Sequence, residues 1–162
     1  MLEPDTQTEP FAQLTEFGES DALVGILVGS ESDRERMEPA MVELDERAIP
    51  HEFHVLSAHR DPRGVAEYAS TAAVRGVRVI IAGAGMAAAL PGVIASYTEL
   101  PVIGVPLRSS KSVGDGMDAL LSIVQMPPGV PVACVSVDGA RNAAILAARI
   151  LAQGGGMPPA ES

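Results

Sequence analysis

The chain is poor in aromatic residues and in cysteine. Among its 162 residues there is no tryptophan, and there are only two tyrosines, three phenylalanines and one cysteine. Stacking of nucleic-acid bases or of a flavin ring needs aromatic platforms, so this scarcity argues against both kinds of binding. Cys134 stands alone in an apolar run, which excludes an intrachain disulfide and a thiolate metal cluster. We predict that Cys134 is a buried structural thiol.

Long apolar runs are missing as well. No uninterrupted apolar stretch is long enough to cross a bilayer. The first residues are acidic, whereas an export signal begins with a basic and then an apolar segment. We therefore expect a cytoplasmic protein that has no membrane segment.

Negative charge is concentrated at the beginning of the chain. The formal net charge is −10, and the first 21 residues contain six acidic residues and no lysine or arginine: Glu3, Asp5, Glu9, Glu16, Glu19 and Asp21. We predict an acidic, disordered tail over residues 1–21, one α/β domain over 22–153 and a flexible C-terminal tail over 154–162. The length suits a single domain with a hydrophobic core.

Short apolar runs alternate with segments whose apolar residues recur at helical spacing. The runs are 23–28, 51–56, 77–82, 102–105 and 130–137. Strands that are apolar nearly throughout are typical of a parallel sheet covered on both faces. We predict a three-layer α/β/α sandwich around a flavodoxin-like parallel sheet of about five strands.

The last predicted helix, residues 139–153, is apolar on almost every side. One sheet cannot bury all of that surface, so a second subunit is expected to cover the rest. The sequence therefore predicts a homo-oligomer.

The loops that follow the strands are the places to search for a site, because ligands of parallel α/β sheets bind at the carboxyl ends of the strands. The first loop reads Gly29-Ser30-Glu31-Ser32-Asp33. Its backbone N–H groups and serine hydroxyls suit a phosphate, although Ser32 or Asp33 could equally be an ordinary helix N-cap.

The second loop contains Ser57-Ala58-His59-Arg60. Histidine exchanges a proton near neutral pH, and arginine binds phosphate or carboxylate with two hydrogen bonds. The alternative is a solvent-facing histidine beside a capping arginine, but the position at the sheet's carboxyl edge favours a catalytic role.

The remaining candidates are less specific. Small residues over 83–92 allow a ligand to approach the backbone closely, or they serve tight helix packing. Residues 109–112 are three serines and a lysine, which indicate little beyond a loop. His51 and His54 lie three residues apart in one predicted strand, so they point to opposite faces and cannot share a metal. We predict no metal site and assign neither histidine a catalytic role.

Taken together, several motifs resemble the 5-(carboxyamino)imidazole ribonucleotide mutase family (PurE type). They run in unbroken order over residues 23–152 and are Gly29-Ser-Glu-Ser-Asp33, Ser57-Ala-His-Arg60, Ile80-Ile-Ala-Gly-Ala-Gly85, Leu90-Pro-Gly92, Pro101-Val-Ile-Gly-Val-Pro106 and Ser122-Ile-Val-Gln-Met-Pro127. The resemblance implies a flavodoxin-like domain, usually an octamer, that moves a carboxyl group from nitrogen to carbon of an aminoimidazole ribonucleotide in purine biosynthesis. It implies no metal, biotin, ATP or other cofactor, and its small-molecule partners would be the ribonucleotide and carbon dioxide.

The resemblance also implies roles for individual residues. His59 would be the proton carrier. The substrate-binding residues would be Gly29, Ser30, Ser32, Asp33, Ser57, Ala58, Arg60, Gly83, Gly85, Met86, Ala87, Ala88, Ala89 and Leu90.

Two residues depart from the family pattern in the third loop. Met86 stands where the family has glycine, and Ala89 stands where it has histidine. The stretch is also similar to carboxylases that act on a pyridinium nucleotide. Two other hypotheses therefore remain: a divergent enzyme that carboxylates or decarboxylates another heteroaromatic nucleotide, and a catalytically silent nucleotide-binding module. The intact His59 and Arg60 favour the mutase.

Overall fold

A computed structural model of the protein describes residues 17–18 and 20–154. Strands and helices alternate along these residues: β1 Val24–Val28, α1 Arg34–Glu46, β2 His51–Val55, α2 Pro62–Ala72, β3 Val79–Gly85, α3 Leu90–Ala95, β4 Val102–Leu107, α4 Met117–Val124, β5 Ala133–Cys134 and α5 Ala140–Gln153. The strands form one parallel sheet in the order β2-β1-β3-β4-β5. This order confirms the predicted flavodoxin-like α/β sandwich.

Two hydrophobic cores lie on the two faces of the sheet. Successive residues of β1 alternate between them, as strand geometry requires. Ile26 belongs to the core that α1 and α5 cover, together with Met37 and Leu44. Leu27 belongs to the core on the other face, together with Tyr68 of α2. All five side chains are completely buried, so the apolar runs of the sequence correspond to central strands.

Element boundaries differ from the sequence-based prediction at the fifth strand. Residues 130–137 are predicted to be extended, but β5 contains only Ala133 and Cys134. Among the described strands it lies at the edge of the sheet and pairs with β4 alone, and Pro131 has no N–H to donate to a partner. Cys134 is half-buried there, and burial raises the pKa of its thiol.

The end of the predicted acidic tail packs against the domain. The Phe17 ring makes edge-on contacts with the rings of His54 and Tyr68, each at a centroid distance of 5.2 Å. Ser20 Oγ donates a hydrogen bond of 2.8 Å to Glu52. The Phe17 ring and the Ser20 hydroxyl therefore hold this segment against the domain. The rest of the two predicted tails, residues 1–16, 19 and 155–162, lies outside the described residues.

Helix α5 is buried on the side that faces the sheet and α1. Its alanines at 140, 143, 144 and 147 are inaccessible to solvent, whereas Ile145 and Leu146 on other sides are only half-buried. Arg141 is tied to α1 by a 2.7 Å ion pair with Glu43, which also pairs with Arg47. Hydrogen bonds from Arg141 and then Arg47 lower the pKa of the Glu43 carboxyl. Within the described part of the chain, no helix has both the length and the hydropathy that crossing a membrane requires.

Candidate active site

A cavity of about 470 Å³ lies at the carboxyl ends of β1 to β4. The loops after these strands line it, together with the last two residues of β3 and the first residue of α3. The lining residues are Gly29, Ser30, Ser32 and Asp33; Ser57 to Arg60; Ala84 to Ala87, Ala89 and Leu90; and Ser109 to Lys111. The chain leaves β1 toward one face of the sheet and β3 toward the other, which opens a crevice between these neighbouring strands. The cavity occupies this crevice.

The loop after β1 provides hydroxyls and one carboxylate. Ser30 is extended, and its Oγ accepts a 3.3 Å hydrogen bond from the N–H of Ser32. Ser30, not Ser32 or Asp33, is therefore the residue whose side chain caps the short helical turn that precedes α1. Burial raises the pKa of Asp33, while the charges of Arg36 and Arg60 oppose the rise. No described residue donates a hydrogen bond to the Asp33 carboxylate, so it can accept one from a ligand.

The loop after β2 joins the first loop through Arg60. Arg60 Nη2 donates a 2.7 Å hydrogen bond to the carbonyl oxygen of Gly29, and the Arg60 N–H donates to Ser57 Oγ at 3.2 Å. Helix α2 is capped by Asp61, which accepts a 3.0 Å hydrogen bond from Gly64. Arg60 is therefore free of the capping role that the sequence left open, and its guanidinium lies at the cavity.

His59 lies at the tip of the second loop. Its side chain is exposed and lines the cavity. None of the described residues, 17–18 and 20–154, forms a hydrogen bond with its ring. Both ring nitrogens are consequently accessible to a ligand in the cavity, which is what proton exchange with a substrate requires.

The loop after β3 forms an uncharged wall. Met86 adopts a left-handed backbone conformation with φ of +51°; it lines the cavity and is 45% exposed. Ala89 is half-buried in the same wall. Because neither residue carries a charge or a polar side chain, ionic contacts with a ligand must come from the other loops.

Two of the predicted substrate-binding residues do not line the cavity. Gly83 lies inside β3, where an added Cβ would come within 2.7 Å of Met37 Sδ and 3.0 Å of Leu107. Ala88 is 2% exposed and packs in the core beneath the loop. The small size of these two residues therefore serves packing, the alternative that the sequence left open for this segment.

The loop after β4 contributes residues that motif reasoning did not select. Ser109, Ser110 and Lys111 line the cavity opposite the second loop. Their only signal in the sequence is their position directly after a parallel strand. Lys111 is the single lysine of the whole chain.

The other two histidines lie away from this cavity. His51 faces α1, with its Nδ1 3.8 Å from Asp45, whereas His54 packs against Tyr68 of α2. They therefore point to opposite faces of the sheet, as their spacing predicts. The described residues contain no group of three or more metal-ligating side chains that could hold an ion.

Comparison with known proteins agrees with the motifs. Residues 23–156 match the AIR carboxylase family. The N5-carboxyaminoimidazole ribonucleotide mutase of Bacillus subtilis is 59% identical over 131 residues, which are 80% of each chain. The phosphoribosylaminoimidazole carboxylase of Schizosaccharomyces pombe is 58% identical over 130 residues, which are 80% of this chain and 23% of that protein.

A solved structure supports the same relationship. The crystal structure of Treponema denticola PurE superposes with a TM-score of 0.72 at 31% identity and covers 82% of each chain. The family match extends over most of the chain and includes all four loops of the cavity. The protein therefore belongs to the AIR carboxylase family of enzymes.

Proposed function

We propose that the protein converts 5-carboxyaminoimidazole ribonucleotide into 4-carboxy-5-aminoimidazole ribonucleotide, a carboxyl transfer of purine biosynthesis. One observation carries the proposal: an accessible imidazole, a guanidinium, several hydroxyls and a carboxylate meet in one cavity of a chain that is 59% identical to a named mutase. The match of residues 23–156 to the AIR carboxylase family and the chemistry of the cavity support the same reaction class.

The ribonucleotide binds through its phosphate and its ribose. Arg60 and the hydroxyls of Ser30, Ser32 and Ser57 provide donors for the phosphate oxygens at the β1 and β2 loops. Asp33 accepts a hydrogen bond from a ribose hydroxyl. The aminoimidazole ring is then directed toward His59 and the small-residue wall of the β3 loop.

His59 acts as acid and base in turn. In its protonated form it donates a proton to the exocyclic nitrogen as the bond from this nitrogen to the carboxyl carbon breaks, which releases carbon dioxide. The ring carbon then attacks carbon dioxide and forms the new carbon–carbon bond. The neutral imidazole finally removes the proton from this ring carbon, so aromaticity is restored and His59 is protonated again.

Retention of carbon dioxide matters as much as proton transfer. Recombination requires the released molecule to stay beside the ring carbon rather than escape into water. The wall formed by Met86, Ala87, Ala89 and Leu90 is apolar and offers no competing hydrogen-bond donors from its side chains. It supports a pocket in which carbon dioxide remains next to the nucleotide.

The test compares two histidine substitutions. His59→Asn should lower turnover by roughly 10²- to 10⁴-fold, the usual contribution of a general acid–base group. His51→Asn, a matched change outside the cavity, should leave turnover near the wild-type value. Turnover is followed by the ultraviolet absorbance of the carboxylated aminoimidazole nucleotides, in both reaction directions.

The outcomes are distinct. Full activity in His59→Asn would overturn the assigned proton carrier. No turnover of either carboxylated nucleotide by folded wild-type protein would overturn the proposed reaction itself.

We also propose that the enzyme is a cytoplasmic homo-oligomer, with the octamer as the expected form. Helix α4 supports association because Met117, Leu121 and Val124 form an exposed apolar stripe, with exposed Tyr97 as a further apolar side chain. Light scattering on purified protein tests this proposal. A mass equal to one chain would overturn it.

A further inference from the structure

Lys111 gives the cavity a second basic side chain besides Arg60. Arg60 already donates to the carbonyl of Gly29, but the ammonium of Lys111 has no hydrogen bond or ion pair with any described residue. Only its backbone N–H is engaged, through a 3.2 Å hydrogen bond to Ser109 Oγ. The charge of Lys111 is therefore available to a ligand.

The backbone around Lys111 is fixed at both ends. The Arg108 N–H donates a 3.0 Å hydrogen bond to Asp138, and the Val113 N–H donates one of 3.0 Å to Asp118. Inside the loop, the Ser109 N–H donates to Ser112 Oγ at 2.8 Å. These contacts hold the lysine at the cavity instead of leaving it on a free surface loop.

The two cations stand on opposite flanks. The sheet order places β1 and β3 between β2, which carries Arg60, and β4, which carries Lys111. Three strand spacings of about 4.8 Å separate the two loops at their origins by about 14 Å. One anionic group held by Arg60 and the nearby serines therefore leaves Lys111 for a second anionic group.

The charges in the rest of the cavity also favour one anionic group at Arg60 and a second anionic group at Lys111. Asp33, the one acidic side chain that the described residues contribute to the lining, lies on the β1 loop near Arg60 and would repel a second anion there. The β3 wall, with Met86 and Ala89, is uncharged. A carboxylate on the imidazole ring is thus attracted to the β4 side of the cavity.

We propose that Lys111 binds the carboxylate that the enzyme moves and thereby distinguishes carboxylated from uncarboxylated nucleotides. This assignment rests on the proposed function. Ser109 and Ser110 lie beside the lysine at the same flank and provide hydroxyl donors. An ammonium suits this task because its donors rotate, so it follows the carboxylate from the nitrogen to the carbon of the ring.

Binding of two nucleotides tests the proposal. Aminoimidazole ribonucleotide has the phosphate alone, and 4-carboxy-5-aminoimidazole ribonucleotide has the phosphate and the carboxylate. Lys111→Gln should weaken the binding of the carboxylated nucleotide by about 10-fold or more, the usual effect of a charged hydrogen bond, and change the other less than about twofold. Lys111→Arg should retain most of the preference. Arg63→Gln, which removes an exposed charge outside the cavity lining, is the control.

The single lysine allows a second measurement on unmodified protein. The chain offers an acetylating reagent two amines, Lys111 and the N-terminal amine, and mass spectrometry separates the two sites. The carboxylated nucleotide should slow acetylation of Lys111 by about 10-fold or more at saturation, whereas aminoimidazole ribonucleotide should protect it much less. The N-terminal amine reports any general effect on reactivity.

Each result decides between the ideas. If Lys111→Gln binds both nucleotides more weakly by the same factor, or binds both as tightly as wild type does, the role of Lys111 is overturned and the proposed function stays intact. If wild-type protein binds neither nucleotide, both the role of Lys111 and the proposed function are overturned.

Discussion

The backbone N–H of Arg108 donates a 3.0 Å hydrogen bond to the Asp138 carboxylate, 30 residues further along the chain. The same carboxylate accepts a 3.0 Å hydrogen bond from Arg36 of α1. Asp138 adopts a left-handed backbone conformation with φ of +56° to make these contacts. One acidic residue before α5 thus anchors the loop that brings Lys111 to the cavity.

Asp138→Ala should destabilise the protein by about 1–2 kcal/mol, because the backbone donor of Arg108 loses its partner. Asp138→Asn keeps an acceptor and tolerates the left-handed conformation, so its loss should be less than about half as large. Urea unfolding at neutral pH measures both. Equal losses would show that the ion pair with Arg36, rather than the bond to Arg108, provides the stability.

Met86→Gly should stabilise the protein by about 1 kcal/mol. Glycine adopts the positive φ of this position without the steric cost that a side chain incurs, and the Met86 side chain is largely exposed. Ala87→Gly, in the same loop but outside the set of residues with positive φ, should instead destabilise slightly. Melting temperatures of the two variants test the difference, and a lower value for Met86→Gly would contradict the prediction.

Gly25→Ala should destabilise the protein by about 2–3 kcal/mol or prevent folding. An added Cβ in β1 would overlap the hydroxyl oxygen of buried Tyr68. This hydroxyl donates a 2.6 Å hydrogen bond to Glu52, so Tyr68→Phe alone should cost about 1 kcal/mol.

The double variant Gly25→Ala with Tyr68→Phe should recover part of the lost stability, because removing the hydroxyl makes room for the methyl group. If the double variant loses as much unfolding free energy as the two single variants lose together, the steric explanation is refuted.

Stability should decrease as the pH falls through about 6.5, the ordinary value for histidine. Burial lowers the pKa of His54, which faces Glu52 on its own strand and Arg75 and Tyr68 on the other side. The unfolded chain therefore binds the proton more tightly than the folded one, and protonation favours unfolding.

A second decrease should follow below about pH 4.5. Burial raises the pKa of Glu52, but hydrogen bonds from Arg75, Tyr68 and Ser20 outweigh this effect and lower it, as arginines lower that of Glu43. The stabilisation that Glu52 and Glu43 provide is present above the pKa that these carboxyls have in the unfolded chain, and it is lost in acid.

The contribution of His54 is isolated by urea unfolding of wild type and His54→Gln between about pH 8 and pH 5.5. An equal pH dependence of stability in the two proteins would exclude His54 as the cause of the decrease near pH 6.5.

Local patterns predicted much of the fold because they reflect local physics. Apolar runs predicted the central strands, and their alternation with helical spacing predicted the parallel sheet, which the order β2-β1-β3-β4-β5 confirms. The bounds of α3 and α4, of six and eight residues, do not follow from helical spacing, since segments this short carry little periodicity.

The family, the sheet and the set of loops that could bear chemistry follow from the amino-acid sequence alone, because motif order and hydrophobic period are properties of neighbouring residues. Which of these residues share a cavity follows from the packing of the folded chain. It directs Gly83 and Ala88 into packing and brings Lys111 into the same cavity as His59 and Arg60, on the opposite flank. The reason is that the sheet sets residues from distant strands side by side, and spacing along the chain does not encode that proximity.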